Sequence, residues 1–208
     1  MDELDKPQHM HDTITASPDQ PMLFELASEL RGYFTSQQAQ AVGYGRDLLA
    51  YHTQTGRFIR IQRGLYRLRD YPSSPGEEVM AAWLAVGKDI AVVSHDSALD
   101  LFNLSDVTPN SMHLTIPRSK RYLQAPPGVT LHTTVVPVPE DEIVLLDGIR
   151  LTSPTRTILD AAEIGVAPEQ VEMAIHQAVQ RGLTTLQMQG AHASERSQSN
   201  PDIEEWEW

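Results

Sequence analysis

The residues best suited to chemistry in this sequence are arginines that crowd into one short stretch. Five of them lie between residues 57 and 69, and no acidic residue lies among them: Arg57, Arg60, Arg63, Arg67 and Arg69. A guanidinium group donates hydrogen bonds in a planar fork that matches phosphate oxygens and the edge of guanine. The stretch therefore favours an anionic partner, with a solvated cationic surface as the alternative.

The overall charge of the chain hides this local excess. The 208 residues carry a formal net charge of -12. Residues 1–20 and 187–208 each hold five acids and one base, whereas residues 21–72 hold seven arginines and four acids, a balance of +3. Binding responds to the field within roughly 10 Å, the Debye length at moderate salt. The bulk charge therefore does not exclude nucleic acid.

Other residue types give little sign of catalysis. The eight histidines lack the spacing with a nearby acid that marks a metalloprotease helix, and no Gly-rich phosphate loop or Gly-x-Ser-x-Gly elbow is present. The absence of cysteine excludes a disulfide scaffold and a cysteine zinc site. His113 and His132 fall in two predicted strands, where they could be neighbours with a structural role. We expect no catalytic residue, no metal site and no cofactor.

The sequence also shows no pattern typical of a membrane span or a signal peptide. No run of eighteen apolar residues is present, which excludes a membrane-spanning helix. The N-terminus lacks the basic-then-apolar order of a signal peptide. We expect a cytoplasmic protein.

The arginines must be positioned by the elements around them. Apolar residues at helical spacing and the glycines that follow them predict three short helices, at residues 21–31, 36–42 and 46–55. The β-rich runs 58–61 and 65–68, joined by Gln62-Arg63-Gly64, predict a hairpin. Three helices and a hairpin describe a winged helix-turn-helix, whose third helix enters the major groove while the hairpin forms the wing.

The third helix has two distinct sides in this interpretation. Leu49 and His52 would face inward, and four residues are left toward solvent or DNA: Arg46, Ala50, Tyr51 and Gln54. A plain packed helix with a polar outer face is the alternative.

The hairpin register is predicted from its apolar pattern. A two-residue turn at Arg63-Gly64 puts four apolar side chains on the face that covers the helices: Ile59, Ile61, Tyr66 and Leu68. The opposite face then carries Arg60 beside Arg67, and Arg69 beside Phe58. A three-residue turn would mix apolar and charged residues on both faces, so we expect the first arrangement.

The predicted fold class is α+β, with a winged helix-turn-helix followed by a small α+β domain and flexible acidic ends. A linker with two prolines and a glycine follows the wing, and the later pattern alternates helices with short strands. The expected divisions are a disordered acidic arm at 1–20, the winged helix-turn-helix at 21–72, the α+β domain at 73–186 and an acidic tail at 187–208. The closing IEEWEW is either solvated or docks on a basic surface.

Four segments in order resemble the AbiEi-type antitoxins of type IV toxin–antitoxin systems. They are RFIRIQRGLYRLRDYP, VVSHDSALDLFNLSDVTP, MHLTIPRSKRY and LDGIRLTSPTRTILD. The resemblance spans roughly Phe34 to Glu163, and the acidic ends lie outside it.

The resemblance implies a function for each domain. The winged helix would repress its own operon by binding inverted repeats in double-stranded DNA, and the C-terminal domain would be needed for neutralisation. A nucleotidyltransferase-like toxin would be opposed without a stable complex. The family's DNA-binding role maps onto seven residues: Arg46, Tyr51, Gln54, Arg60, Arg63, Arg67 and Arg69. The alternative is a non-catalytic protein-interaction module whose winged helix no longer binds DNA.

Overall fold

Residues 17–184 are described by a computed structural model of the protein. The chain divides into two units, with the boundary between Ser73 and Ser74. The α+β class is confirmed, because both units contain helices and strands. The predicted acidic tail at 187–208 and all but the last four residues of the predicted arm at 1–20 lie outside the described residues. Within residues 17–184, no helix combines the length and apolar character needed to cross a bilayer.

The first unit has the predicted winged helix-turn-helix arrangement. Its helices are α1 (Gln20–Ser28), α2 (Ser36–Ala41) and α3 (Arg46–Gln54), and its strands are β1 (Tyr33–Thr35), β2 (Phe58–Gln62) and β3 (Leu65–Leu68). The strands form an antiparallel sheet in the order β1-β3-β2. Strand β1 is not predicted from the sequence, because three residues are too few to show an alternating pattern. It is defined by its pairing with β3.

Side-chain caps set the start of the first two helices. The carboxylate of Asp19 accepts a hydrogen bond from the amide of Met22 at 2.9 Å. Thr35 and Gln38 form a capping box, in which each side chain accepts from the other residue's backbone amide, at 3.1 and 2.8 Å. These bonds satisfy amides that have no partner within the helix.

The core of this unit is built around the fully buried Phe34. Its ring meets that of Phe58 edge to face at 5.0 Å and stacks on that of Tyr66 at 5.8 Å. Buried side chains of the three helices complete the cluster: Leu23, Ala27, Ala39 and Leu49. This core joins the sheet to all three helices, so α3 and the wing are held by the same set of contacts.

The hairpin has the predicted two-residue turn at Arg63-Gly64, with Gln62 opposite Leu65, but beyond this pair its register differs from the predicted one. Ile59 lies opposite Arg67, and Arg60 lies opposite Tyr66, with an irregularity between Arg60 and Gln62. The predicted grouping of Ile59 and Ile61 with Tyr66 and Leu68 on one face was therefore wrong. Because β3 is the central strand, residues on both of its faces are buried or half-buried, and its own pattern does not show which face is polar.

The second unit is a mixed sheet with helices. Its helices are α4 (Glu77–Val86), α5 (His95–Phe102), α6 (Pro154–Glu163) and α7 (Pro168–Gln180). Its strands are β4 (Val92–Val93), β5 (Met112–Pro117), β6 (Val129–Thr134), β7 (Ile143–Leu146) and β8 (Ile149–Thr152). The sheet order is β6-β5-β4-β8-β7, with β5–β6 and β4–β8 parallel and the other pairs antiparallel.

Three features hold the second unit in this arrangement. A turn at Asp147-Gly148 joins β7 to β8, with φ of 52° and 81°, as a two-residue hairpin turn of this type requires. An apolar cluster with Leu99, Ile158 and Ala174 packs α5, α6 and α7 together. The half-buried guanidinium of Arg156 bridges Glu142 and Asp160 beside this cluster.

Candidate nucleic-acid interface

One side of α3 is free for an external partner. The helix buries Leu49 and His52, as predicted. The four residues predicted to face outward are all exposed: Arg46, Ala50, Tyr51 and Gln54. Tyr51 is 58% exposed, although it is a large aromatic residue. The exposed side therefore combines a cation, a phenol and an amide, which are groups that contact phosphates and base edges, with the carboxylate of Asp47.

His52 fixes how this helix sits on the wing. Its ring lies 4.9 Å from that of Phe58 and 5.6 Å from that of Tyr44. Burial lowers the pKa of His52, and the neighbouring charge of Arg57 lowers it further. A neutral imidazole packs against aromatic rings without the cost of burying a charge. His52 therefore acts as a core residue that positions the exposed side of α3.

The wing, whose strand β2 packs against α3, exposes four guanidinium groups. They belong to Arg57, Arg60, Arg63 and Arg69. Arg63 lies at the tip of the hairpin, before Gly64. Arg57 is missing from the sequence-based set of DNA-contacting residues, although its position in the acid-free stretch was a signal that could have placed it there.

Arg69 connects the base of the wing to the end of α3. Its Nε donates a hydrogen bond to the carbonyl of Gly56, the residue at which the chain turns after the helix. Gly56 has a φ of 78°, and a Cβ there would stand 3.3 Å from Nη2 of Arg69. Glycine permits both the turn and the close approach. The contact therefore sets the spacing between α3 and the wing while Arg69 stays exposed.

Arg67 does not belong to this exposed set. It is only 6% exposed, and its guanidinium donates to the carbonyls of Leu68, Tyr71 and Pro72 at 3.1, 3.0 and 3.4 Å. The guanidinium carbon also lies 5.8 Å from the centre of the Tyr33 ring. The DNA contact of Arg67 stays a prediction, and the burial of its guanidinium counts against it. In the observed register this side chain anchors the segment that follows β3.

Three histidines meet in the second unit. Nε2 of His132 lies 3.1 Å from Nδ1 of His113, so these residues are neighbours as expected. The ring of His95 stacks on that of His132 with centroids 3.7 Å apart, and its Nδ1 lies 2.8 Å from Oγ of Ser94. Across residues 17–184, no set of three or more metal-ligating side chains is arranged to hold an ion. The cluster packs as part of the fold.

We expect the second unit to lose stability as the pH falls below about 6.5, the ordinary pKa of histidine. Burial and nearby His113 lower the pKa of His132, and Asp160 and Asp96 oppose them less strongly. The unfolded chain therefore binds the proton first. The free energy of unfolding should be level above about 6.5 and fall below it, by up to about 1.4 kcal/mol per pH unit for one such group.

Trp83 offers a measurement of this effect, because its buried indole donates to the carbonyl of Ala91 at 2.7 Å. Urea unfolding would be followed by the fluorescence of Trp83 in a Trp206→Phe, Trp208→Phe background. Trp83 is then the one tryptophan that remains of the three in the sequence. His132→Gln should flatten the pH profile, and the exposed His176→Gln should leave it unchanged. A His132→Gln profile as steep as that of the parent would contradict the assignment.

Comparison with known proteins bears on the first unit. Residues 21–69 match the model of a family described as "Transcriptional regulator, AbiEi antitoxin". Among solved structures, the RV2827C protein of Mycobacterium tuberculosis is similar, with 15% identity and a TM-score of 0.47 over 70% of this chain and 61% of that one. The chain thus spans about three fifths of that structure's length. No curated protein matches the sequence.

Proposed function

We propose that this chain, whose residues 21–69 match the family model described as "Transcriptional regulator, AbiEi antitoxin", is a DNA-binding repressor and antitoxin of a type IV toxin–antitoxin system. It autoregulates its operon, counteracts a nucleotidyltransferase-like toxin and has no catalytic activity. The observation that carries the DNA-binding part is the exposed side of α3 with four exposed wing guanidiniums beside it. These residues lie within 21–72, a segment whose net charge is +3 in a chain of net charge -12.

The two surfaces would contribute to recognition in different ways. Gln54 on α3 suits a bidentate contact to adenine, and Arg46 suits guanine or a phosphate. Arg60 and Arg69 on the wing suit phosphates, which position the protein without reading sequence. Arg63 at the wing tip suits the minor groove, where narrow A·T-rich segments attract arginine.

The antitoxin role is assigned to residues 73–186, which have their own apolar cluster and sheet. The operator is proposed to be an inverted repeat, since two copies of a winged helix related by a two-fold axis bind such sites. The toxin is opposed in the cytoplasm without a stable complex. Growth of cells expressing the toxin, with and without this chain, tests the antitoxin role directly.

Titration of the DNA upstream of the gene tests the repressor role. If the four exposed arginines of the wing each neutralise one phosphate, the affinity for this duplex should fall roughly 150-fold between about 0.05 and 0.2 M salt. A scrambled duplex of equal length is the control, and it should bind more weakly at both salt concentrations. Equal affinity for the two duplexes would contradict a sequence-specific repressor.

One observation favours the second candidate, an interaction module that does not bind DNA. Asp47 is exposed in the first turn of α3, so it adds a negative charge to the helix that would face DNA phosphates. An acid there also stabilises the positive end of the helix dipole. Absence of duplex binding at about 0.05 M salt would favour this candidate over the repressor.

A further inference from the structure

The second unit has one cationic segment in an otherwise acidic sequence. Residues 73–186 contain fourteen acids and seven lysines or arginines. Three of those seven cations lie within four residues: Arg118, Lys120 and Arg121. No acid occurs between Asp106 and Glu140. This segment therefore has a local field of the opposite sign to that of the unit around it.

The segment leaves the sheet where an apolar surface is also exposed. Strands β5 and β6 are parallel, and their last residues, Pro117 and Thr134, are paired. The chain therefore departs from both strands at the same end of the sheet. Tyr122, Val135 and Val136 follow these strand ends and are 71%, 73% and 68% exposed. We call Arg118, Lys120, Arg121, Tyr122, Val135 and Val136 the strand-end patch.

The cations of this patch are available to a partner. Arg118 and Arg121 are exposed, and Arg121 donates to the uncharged carbonyl of Arg118 at 3.4 Å. In contrast, Arg150 and Arg156 of the same unit form ion pairs with carboxylates. The segment is also held in shape by Pro117 and a short 3-10 turn at Arg118–Lys120. A surface that is already ordered loses less entropy on binding.

The chemistry of the patch fits unpaired nucleotides. Cations beside an exposed aromatic ring are the combination that binds single strands, because the cations contact phosphates and the ring stacks on a base. In a duplex the bases stack on one another and offer no free face to Tyr122. We propose that the strand-end patch binds single-stranded nucleic acid, as a second surface independent of the wing.

The test uses the full chain with Arg60, Arg63 and Arg69 replaced by alanine, which removes three of the four exposed cations of the wing. The probe is a labelled oligouridylate of about 12 nucleotides, within the usual site size of single-strand binders. Adding Arg118→Ala and Arg121→Ala should lower its affinity about 25-fold at about 0.1 M salt and reduce the salt slope by about 1.4. Binding of duplex DNA by the chain with an intact wing should stay within about twofold under the same two substitutions.

Two further variants separate stacking from charge. Tyr122→Ala should weaken oligouridylate binding about tenfold without changing the salt slope, and Tyr122→Phe should retain binding. Lys88→Ala removes one exposed cation elsewhere in the unit and is the matched control for Arg121→Ala. The proposal would be overturned if Lys88→Ala lowers the affinity for oligouridylate as much as Arg121→Ala does. It would also be overturned if Tyr122→Ala does not lower this affinity. A chain with an intact strand-end patch that does not bind oligouridylate would also overturn the proposal. The cations of the patch would then fit an acidic protein as the partner.

Discussion

Replacing Arg60, Arg63 and Arg69 together with alanine is expected to weaken binding to the upstream duplex by roughly 500-fold at about 0.1 M salt. All three side chains are exposed on the wing, where they can displace counterions from phosphates. Each phosphate neutralised contributes about 0.9 to the slope of log affinity against log salt. The slope should therefore fall by about 2.7, which anisotropy titrations over a range of salt concentrations would measure.

The matching lysine variant serves as the control for charge. Lysine at the same three positions keeps the point charges and should keep the salt slope, since phosphate contact does not need the planar fork. The part of the loss that comes from Arg60 and Arg69 should be the same for an unrelated duplex, because phosphate contacts carry no sequence information. A triple alanine variant that binds like the parent at moderate salt would show that the wing is not the interface.

Arg67→Ala is expected to act on stability, with a loss of about 2–4 kcal/mol in the free energy of unfolding of the first unit. The substitution leaves the carbonyls of Leu68, Tyr71 and Pro72 without this donor, and it removes the cation near the ring of Tyr33. Hydrogen exchange of the amides of residues 21–69 reports this unit alone. Their protection should fall by the same free energy.

Arg60→Ala is the matched comparison, because it removes an exposed arginine from the neighbouring strand and should change stability by less than about 0.5 kcal/mol. Arg67→Lys should recover part of the loss, since one ammonium group reaches fewer carbonyls than a guanidinium. If Arg67→Ala leaves exchange unchanged and weakens DNA binding, Arg67 would return to the interface.

Several parts of the first unit follow from local patterns. Apolar spacing locates α3 and the inward pair Leu49 and His52, because a helix repeats every 3.6 residues whatever it packs against. Thr35 is recognisable as a cap from its own type and from Gln38 three residues later. The exposure of Arg46, Tyr51 and Gln54 follows from the same periodicity.

In the second unit, the local sequence indicates the turns but does not indicate which buried polar side chains contact one another. The pair Asp147-Gly148 indicates a tight turn, because few residues adopt positive φ at both positions. Ser94 precedes α5 as an N-cap would, yet its hydroxyl lies 2.8 Å from Oγ1 of Thr115 and makes no cap bond. A distant strand offers this partner, and the pattern around Ser94 carries no information about it.

Local patterns in the sequence predict the α+β class, the approximate positions of the first three helices and the crowding of arginines in the hairpin. Which of those arginines face solvent depends on how the strands pair. The pairing of β3 with β1 on one side and β2 on the other places Arg67 opposite Tyr33 and Ile59, and so buries it. Strand residues alternate with a period of two, so a shift of one residue exchanges the faces. The shift arises at the irregularity between Arg60 and Gln62, which the alternation of apolar residues does not reveal.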